Sequence, residues 1–454
     1  METKSQAKII SYNINNIDIC ASAARISTTK GNANEIFEKA KNHPNNQDLI
    51  DRVLQSGHKS LIEHSVFTIA FWNVSAFVEQ FFIECRLASF TVKSRRYVDF
   101  SKLGYYTPSD LDTESLSQYR RYMDMLYGAY QEMLEQGIPK EDARFLLPYS
   151  FNSNFYCTLN ARELNHIICT IKFGRGRYIP ELQDIARQLT DQIESLFPVL
   201  LSEIAYAEKQ YNTDVSDTNF SNVQDDLVFI ERRKIGIPEL ISSPQNPREI
   251  LENAYQISHS LPLDIGLLLK SERPRELEQL AYSFLISNIT LSGITHIVRH
   301  RMQSIIIPSI QSIDHNKYII PETISNNPAL LKRYKYILET TNGMLKQLNC
   351  SKLLNKYGYY FALSGNVMDI MTTMNSRELM HFIRLRICNR AQWEIRDISV
   401  EMLRQLQEHF PELFNKFGSS CYINGYCPEG RMTCGKYDEV IKKFGQSLRG
   451  GYEK

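Results

Sequence analysis

The chain has 454 residues, of which 43% are hydrophobic and 23% are charged, and its formal net charge is +1. These proportions are ordinary for a globular protein, and the length allows two or three domains. A net charge so close to zero gives no general attraction to nucleic acid or to an acidic membrane surface. We therefore expect neither kind of partner.

Nine cysteines are spread along the chain, and the N-terminal METKSQAKII lacks the apolar core of a signal peptide. Dispersed cysteines without an export signal are typical of free thiols in a reducing compartment. The sequence therefore predicts a cytoplasmic protein.

The predicted elements of the first half begin with a helix over 47–57, QDLIDRVLQSG, which ends at Gly57. The next segment, SVFTIAFWNVSAFVEQFFI at 65–83, mixes β-rich and helical signals. NARELNHIICTI at 160–171 has the apolar spacing of a helix. This half therefore combines strands and helices.

The second half contains a long uncharged segment, Leu280 to Val298, which is nearly long enough to span a membrane. It holds seven polar residues that would be costly in lipid, so we predict a buried helix and not a membrane span. NSRELMHFIRLR at 375–386 also has helical spacing. A further helix is predicted over 398–418, ending at Gly418.

One short pattern occurs twice. TLNARELNH at 158–166 and TMNSRELMH at 373–381 are 215 residues apart, and the same offset relates Ser94 to Ser309, Ser89 to Ser304 and Arg86 to Arg301. Agreement in two separate regions at one offset predicts a duplicated domain. The polar run SDTNFSNVQDD at 216–226 marks the boundary, which gives copies over 1–220 and 221–454.

The segment RHRMQSIIIPS at 299–309 places Arg-His-Arg beside an apolar run. A basic helix end would complement the helix dipole. The alternative is an anion site for a phosphate or an electron-rich cofactor. Taken alone, the segment favours the helix end, because short basic clusters are common on protein surfaces.

The C-terminal tail CYINGYCPEGRMTC contains Cys421, Cys427 and Cys434. Their six- and seven-residue steps do not fit a tight zinc knuckle, and no nearby histidine completes a ligand set. We predict free thiols in an ordered tail and no metal site.

Four segments together resemble the flavin-dependent thymidylate synthases. They are GHKSLIEHSVFTIAFWNVSAFVEQFF and RLASFTVKSRRY in the first copy, and RHRMQSIIIPS and MNSRELMHFIRLRICNRAQWEIR in the second. The resemblance covers most of both halves. It implies an α+β fold: two tandem copies of this family's antiparallel sheet with helices, forming a pseudo-dimer. Family members are usually homotetramers with shared active sites, so a homodimer of this chain is expected to act as a pseudo-tetramer.

The two copies depart from the family pattern in complementary ways. The first has Glu84, Cys85 and Arg86 in place of the Arg-His-Arg triplet. It keeps the residues that the resemblance assigns to the nucleotide phosphate, which are Ser94, Arg96 and Arg144. It also keeps a histidine at a flavin-contacting position, His64.

The second copy keeps the triplet Arg299, His300 and Arg301, which the resemblance assigns to the flavin, and Arg386, which it assigns to the pyrimidine. Ile171 stands at the position of Arg386 in the first copy. Phosphate and flavin residues of the first copy are replaced in the second: Gln311 corresponds to Arg96, Tyr359 or Tyr360 to Arg144, and Gln279 to His64.

Both copies keep an Asn-x-Arg and a following histidine, which the resemblance assigns to the flavin: Asn160, Arg162, His166, Asn375, Arg377 and His381. Each arginine and histidine are four residues apart and share a helix face. For the two histidines a place in the core is equally compatible. Arg386 comes nine residues after Arg377 and points to roughly the opposite face, as a helix that serves two pockets requires.

The family's Asn-Glu is lost in both copies, as Thr91 and Val92 and as Ile306 and Ile307, which leaves the identity of the nucleotide open. His296 stands where the family often has glutamine beside the pyrimidine. We predict catalytic roles for His296, Arg299 and Arg386, with Arg386 stabilising negative charge on the pyrimidine. No cysteine nucleophile is implied.

The resemblance implies an enzyme that uses FAD, NADPH and 5,10-methylenetetrahydrofolate to methylate C5 of a uracil nucleotide, dUMP to dTMP. One alternative is an enzyme of this type that acts on another pyrimidine or a specialised acceptor, and the sequence leaves open whether the product carries a methyl or a hydroxymethyl group. Another is an inactive flavin- or nucleotide-binding homologue. Because the losses leave nearly one full set of ligands between the copies, we expect an active enzyme with composite sites.

Overall fold

The computed structural model describes residues 4–210, 227–348 and 351–442, and the predicted boundary at 216–226 lies outside them. The chain divides into two compact units. The first comprises Met1–Phe220 and Leu348–Ala362, and the second comprises Ser221–Gln347 and Leu363–Lys454. A short segment of the second copy, Leu348–Ala362, therefore packs within the first unit.

The described residues form ten strands. They are β1 (Gln6–Tyr12), β2 (Val66–Ser75), β3 (Ala88–Val92), β4 (Asn152–Asn160), β5 (Val228–Ile230), β6 (Ile237–Ser242), β7 (Ala281–Thr290), β8 (Gln303–Ile306), β9 (Lys317–Ile319) and β10 (Val367–Asn375).

The same residues form nineteen α-helices. Those from the N-terminus to residue 210 are α1 (Asn16–Ile26), α2 (Ala33–Ala40), α3 (Asn46–Gln55), α4 (Ala76–Ile83), α5 (Thr113–Glu135), α6 (Lys140–Ala143), α7 (Ala161–Lys172), α8 (Pro180–Leu196) and α9 (Val199–Glu208). Those after residue 227 are α10 (Pro247–His259), α11 (Ile265–Leu268), α12 (Leu291–Ile297), α13 (Glu322–Ser325), α14 (Pro328–Gln347), α15 (Lys352–Tyr357), α16 (Ser376–Arg386), α17 (Trp393–His409), α18 (Pro411–Phe414) and α19 (Ser420–Asn424).

Each unit is built on a four-stranded antiparallel sheet. The strand order is β1-β2-β4-β3 in the first unit and β6-β7-β10-β8 in the second. The second unit also holds a short parallel pair, β5 with β9. Two sheets of equivalent order confirm the predicted α+β fold with one antiparallel sheet per copy.

The offset of 215 residues recurs in local backbone geometry. Asn73 and Asn288 each adopt a left-handed φ of 55° in the second strand of their sheet. Asparagine tolerates this conformation better than most residues. Equivalent hydroxyl pairs bridge neighbouring strands, Thr68 with Thr158 at 3.1 Å and Ser283 with Thr373 at 2.8 Å. The two copies therefore share details of local structure, although much of their sequence differs.

Glutamines from helices satisfy the backbone of the first strand in each sheet. In the first unit Gln188 accepts from the Ala7 N–H at 2.9 Å, and Gln192 accepts from the Ile9 N–H at 2.8 Å. In the second unit Gln405 accepts from the Leu240 N–H at 2.8 Å. These bonds occupy polar edge groups that would otherwise be open to pairing with another strand.

The structure corrects the prediction of a buried helix from Leu280 to Val298. The segment is the strand β7 followed by the short helix α12. β7 pairs with a strand on each side, and its buried residues lie on both faces, so its sequence lacks the alternation of a half-buried strand. Within the described residues, no helix is both long and apolar enough to cross a membrane.

The predicted helix over 398–418 is also only partly right. α17 extends over most of it but ends at His409, and α18 begins at Pro411. Proline lacks the N–H that a continuing helix needs and restricts the residue before it, Phe410, which leaves the helical conformation with ψ 77°. The helix predicted to end at Gly57 is confirmed as α3, which ends two residues earlier at Gln55.

Candidate functional site

The asparagine of each Asn-x-Arg motif caps a helix. Asn160 accepts a hydrogen bond from the Glu163 N–H at the start of α7, and Asn375 accepts one from the Glu378 N–H at the start of α16, both at 2.9 Å. A side-chain oxygen at this position satisfies a backbone donor that the helix leaves open. Both motifs therefore begin with a structural residue, whatever else the asparagine contacts.

The arginine of each motif pairs with a glutamate that is also repeated. Arg162 bonds Glu63 at 2.6 Å, and Arg377 bonds Glu278. Next to Glu63 lies the exposed His64, at the end of a short 3-10 helix. The motif histidines, His166 and His381, are also exposed, so the structure places neither of them in the core.

The three predicted phosphate residues of the first copy lie together. The Arg96 N–H donates to Ser94 Oγ at 3.3 Å, and the Arg96 guanidinium bonds the Glu141 carboxylate at 2.8 Å. The buried Arg144 donates from Nε to the Glu141 carbonyl at 3.0 Å. Glu141 thus links the two arginines, a role that the sequence did not suggest.

The loop that carries Ser94 and Arg96 also contributes Arg95 to a buried ion pair. Arg95 is 5% exposed and bonds Glu79 at 2.6 Å, while Ser153 also donates to the same carboxylate. The Arg95 guanidinium lies over the Phe151 ring, 4.7 Å from its centre. Burial acts to lower the pKa of Arg95, but its charged and hydrogen-bonding partners, with the Glu79 charge the largest, together outweigh it and raise the pKa, so the guanidinium stays charged.

The equivalent loop of the second copy keeps its turn but not its charges. The Gln311 N–H donates to Ser309 Oγ at 3.3 Å, as in the first copy. Ile294 and Ile310 stand at the positions of Glu79 and Arg95, and both are buried. Tyr359 stands at the position of Arg144 and packs within the first unit against Phe77, with ring centres 4.5 Å apart.

The Arg-His-Arg triplet of the second copy is split between solvent and core. Arg299 and Arg301 are exposed, whereas His300 is 5% exposed. The His300 Nδ1 lies 2.9 Å from the Glu378 carboxylate, and its Nε2 accepts from the Arg386 Nε–H at 3.0 Å. Burial lowers the pKa of His300, although Glu378 acts in the opposite direction.

Arg386 has a second partner on α12. Its Nη2 donates to the His296 carbonyl at 3.0 Å, so two bonds from different elements fix the direction of the guanidinium. Arg377, nine residues earlier on α16, bonds Glu278 instead. The two arginines of this helix therefore bond different parts of the second unit.

The first unit has a cavity where its own triplet is broken. The cavity has a volume of about 300 Å³ and is lined by Glu84, Cys85, Arg86, Glu163, His166 and Arg175, among others. Burial raises the pKa of Cys85 to about 12, and the nearby Glu163 carboxylate adds to the rise. A thiol with such a pKa is protonated at neutral pH and is a poor nucleophile.

The sequence profile of a family described as thymidylate synthase complementing protein matches the chain twice, over residues 8–199 and 239–412. The chain belongs to this family. The match confirms the predicted family, its duplication, and the class of the enzyme, a flavin-dependent thymidylate synthase-like methyltransferase.

Two curated relatives show how this family member differs in length. A flavin-dependent thymidylate synthase of Nitratidesulfovibrio vulgaris is 32% identical over 184 residues, which are 38% of this chain and 75% of the relative. That of Clostridium tetani is 28% identical over 241 residues, which are 45% of this chain and 96% of the relative. Each relative thus matches less than half of this chain.

A solved structure is also similar to part of this family member. It is the crystal structure of a UMP/dUMP methylase PolB from Streptomyces cacaoi bound with 5-Br dUMP. The likeness has 24% identity and a TM-score of 0.38, and it covers 45% of this chain and 96% of the other.

Sequence reasoning missed two glutamates of this family member, Glu141 and Glu378. A signal for Glu378 was present, because the repeated Asn-x-Arg-Glu-Leu pattern contains Glu163 in one copy and Glu378 in the other. Glu141 carried no such signal, since Lys356 stands at its position in the second copy.

Two tail cysteines, Cys421 and Cys434, lie near Cys388. Cys421 is 9% exposed, and Cys427 and Cys434 are partly buried. Burial raises the pKa of Cys388, and Cys434 and Cys421 are near enough to contribute. Among the described residues these cysteines are free thiols, and no group of three potential ligands has the geometry of a metal site.

Proposed function

We propose that this chain catalyses FAD-dependent transfer of a methylene group from 5,10-methylenetetrahydrofolate to C5 of dUMP, with reduction to the methyl group by NADPH. The observation that carries the proposal is the fixed Arg386 of the second unit. Its guanidinium is held by His300 and the His296 carbonyl, and it belongs to the one copy with an intact triplet.

The flavin is assigned to the second copy. Arg299 and Arg301 are exposed, and guanidinium groups suit the pyrophosphate of a dinucleotide because they donate paired hydrogen bonds and remain charged. FAD supplies the redox chemistry when it is bound, and the protein supplies binding and orientation. The exposed His64, His166 and His381 are proposed as further flavin contacts, on the family pattern.

The nucleotide phosphate is assigned to the first copy. Ser94, Arg96 and Arg144 are brought together around Glu141, and the buried Glu79–Arg95 pair supports the loop. Two guanidinium groups and a hydroxyl match the charge and the acceptor atoms of a phosphate monoester. The equivalent loop of the second copy has Gln311 and lacks the ion pair.

Arg386 is proposed to act on the pyrimidine. A guanidinium aimed at the carbonyl oxygens of the base stabilises negative charge as C5 becomes nucleophilic. Because hydrogen bonds fix its direction before the substrate binds, little reorganisation is needed during the reaction. We propose that His296 and Arg299 complete the catalytic group.

The assembly proposed is a cytoplasmic homodimer with the copies over 1–220 and 221–454 as pseudo-repeats. Each chain then carries one set of phosphate ligands and one set of flavin ligands. A dimer of duplicated chains has as many family domains as a tetramer of single-domain chains.

Product analysis tests the function. The purified enzyme is incubated with FAD, NADPH, methylenetetrahydrofolate and a panel of uracil nucleotides, and products are identified by mass spectrometry. We expect dTMP from dUMP, and loss of the product in Arg386→Ala. A methylated product from another nucleotide, but none from dUMP, would refute the proposed acceptor. Reduced flavin without any methylated product would refute methyl transfer.

A further inference from the structure

A largely buried chain of hydrogen bonds ends at Arg386. It joins Glu378, His300 and Arg386, with 2.9 Å between carboxylate and Nδ1 and 3.0 Å between Nε2 and the guanidinium. The side chains of His300 and Glu378 are 4% and 8% exposed. Hydrogen bonds in such a dry environment are directional and costly to break.

The two contacts of the His300 ring show which of its nitrogens carries the proton. An arginine Nε always carries a hydrogen, so it donates and the His300 Nε2 accepts. The ring proton of the neutral histidine is therefore on Nδ1, where it is donated to Glu378. Carboxylate, imidazole and guanidinium thus form a one-way chain of donors and acceptors.

We propose that Glu378 and His300 are positioning residues for Arg386: the Glu378 carboxylate holds the His300 proton on Nδ1, and the bare Nε2 then aims the guanidinium. The proposal rests on the proposed function of Arg386 at the pyrimidine. It assigns His300 to the arginine and not to the flavin ring, since both ring nitrogens are occupied and the ring is buried.

The first unit contains the same glutamate without the chain. Glu163 is 8% exposed, and its N–H is capped by Asn160 just as Glu378 is capped by Asn375. Cys85 and Ile171 stand at the positions of His300 and Arg386. A buried glutamate is therefore common to both copies, whereas the bond to an arginine through histidine is found in the second unit.

Protonation of His300 would break the chain. An imidazolium carries a hydrogen on Nε2, which would face the Arg386 N–H. In the described part of the chain, two titratable groups face the ring besides Arg386. They are the Glu378 carboxylate, which bonds Nδ1, and the His381 ring, whose centre lies 5.7 Å away. Because the Glu378 charge favours the protonated ring, removing that charge makes His300 harder to protonate.

The test compares Glu378→Gln with the matched control Glu163→Gln in the full-length, FAD-loaded enzyme. For Glu378→Gln we expect kcat to fall about tenfold or more, with the flavin content unchanged and the acidic limb of the kcat profile at lower pH. In Glu163→Gln, both kcat and the pH of the acidic limb should match the wild-type values. Wild-type kcat in Glu378→Gln, or a lower kcat with an unmoved limb, overturns the proposal.

A second readout is independent of turnover. In ¹⁵N-histidine-labelled enzyme, the His300 signals, assigned by their loss in His300→Gln, should show a protonated Nδ1 and a bare Nε2. A protonated Nε2 near neutral pH overturns the proposal. Wild-type enzyme that forms no methylated product would count against the proposed function, while these ring signals still report on the chain of bonds.

Discussion

At the scale of single residues, comparison of the two copies identifies a side chain that is out of place in the core. His315 is 2% exposed, and neither ring nitrogen has a hydrogen-bond partner in the described part of the chain. Its equivalent is Phe100, which packs edge-on against Phe151 with ring centres 5.5 Å apart. Burial lowers the pKa of His315 from 6.5 to about 4.

This shift makes stability depend on pH. Between pH 6.5 and about 4 the unfolded chain binds a proton at this position and the folded chain does not, so stability falls as pH falls through that window. His315→Phe should recover about 3 kcal/mol at the acidic end of the window. Calorimetric unfolding at several pH values measures this. If His315→Phe loses as much stability in acid as the exposed control His58→Gln, then His315 is not the source of the acid dependence.

The arginine and glutamine at equivalent loop positions give a second residue-scale prediction. Arg96→Ala should weaken dUMP binding by about 2 kcal/mol, because it removes a charged partner of the phosphate. Gln311→Ala should change binding little, since its loop lacks the neighbouring arginines. Titration calorimetry of both variants is the measurement. Equal losses at the two positions would mean that the second copy also binds the phosphate.

At the scale of elements, the loop that carries Ser94 and Arg96 is anchored by the buried Glu79–Arg95 pair. Removing one partner leaves a buried charge uncompensated, so Arg95→Ile should cost about 3 kcal/mol of unfolding free energy. Replacing both residues by isoleucine reproduces Ile294 and Ile310 of the second copy and should restore most of the loss. Urea unfolding compares the stability of the variants with that of the wild type. A double variant as unstable as Arg95→Ile would contradict this account.

Sequence periodicity predicted some elements and missed others for a physical reason. Apolar spacing predicts α7 and α16, because each helix has one apolar face. The sequence of β7 resembles that of a buried helix, because the strand has a neighbour on each side and buried residues on both faces, and it therefore lacks a clear alternation. The placement of Leu348–Ala362 within the first unit depends on long-range contacts, such as Tyr360 with Glu181 at 2.6 Å, which no local pattern records.

The same limit applies to the site. Family motifs indicated Ser94, Arg96 and Arg386, because those residue types suit phosphate and pyrimidine recognition. The partners that orient them, Glu141 and Glu378, are 45 and 78 residues from their respective contacts at Arg96 and His300. Such pairings form only in the folded chain, and no short sequence pattern indicates them.

At the scale of the whole molecule, the duplication has left two copies that are no longer equivalent. The sheets, the left-handed asparagines and the capped Asn-x-Arg helices are common to both. Arg96 and Arg144, the arginines proposed for the phosphate, belong to one copy, and the triplet with Arg386 belongs to the other. We expect a common scaffold, with different ligand-binding residues in the two copies, if each copy kept a different part of an ancestral site.

The stoichiometry of binding tests this division most directly. Titration calorimetry of the FAD-loaded enzyme with dUMP, together with flavin absorbance per chain, counts both ligands in one preparation. We predict one nucleotide and one flavin per 454-residue chain, that is, two of each per homodimer. Two nucleotides or two flavins per chain would show that both copies bind the same ligand, and would contradict the division of ligands between them.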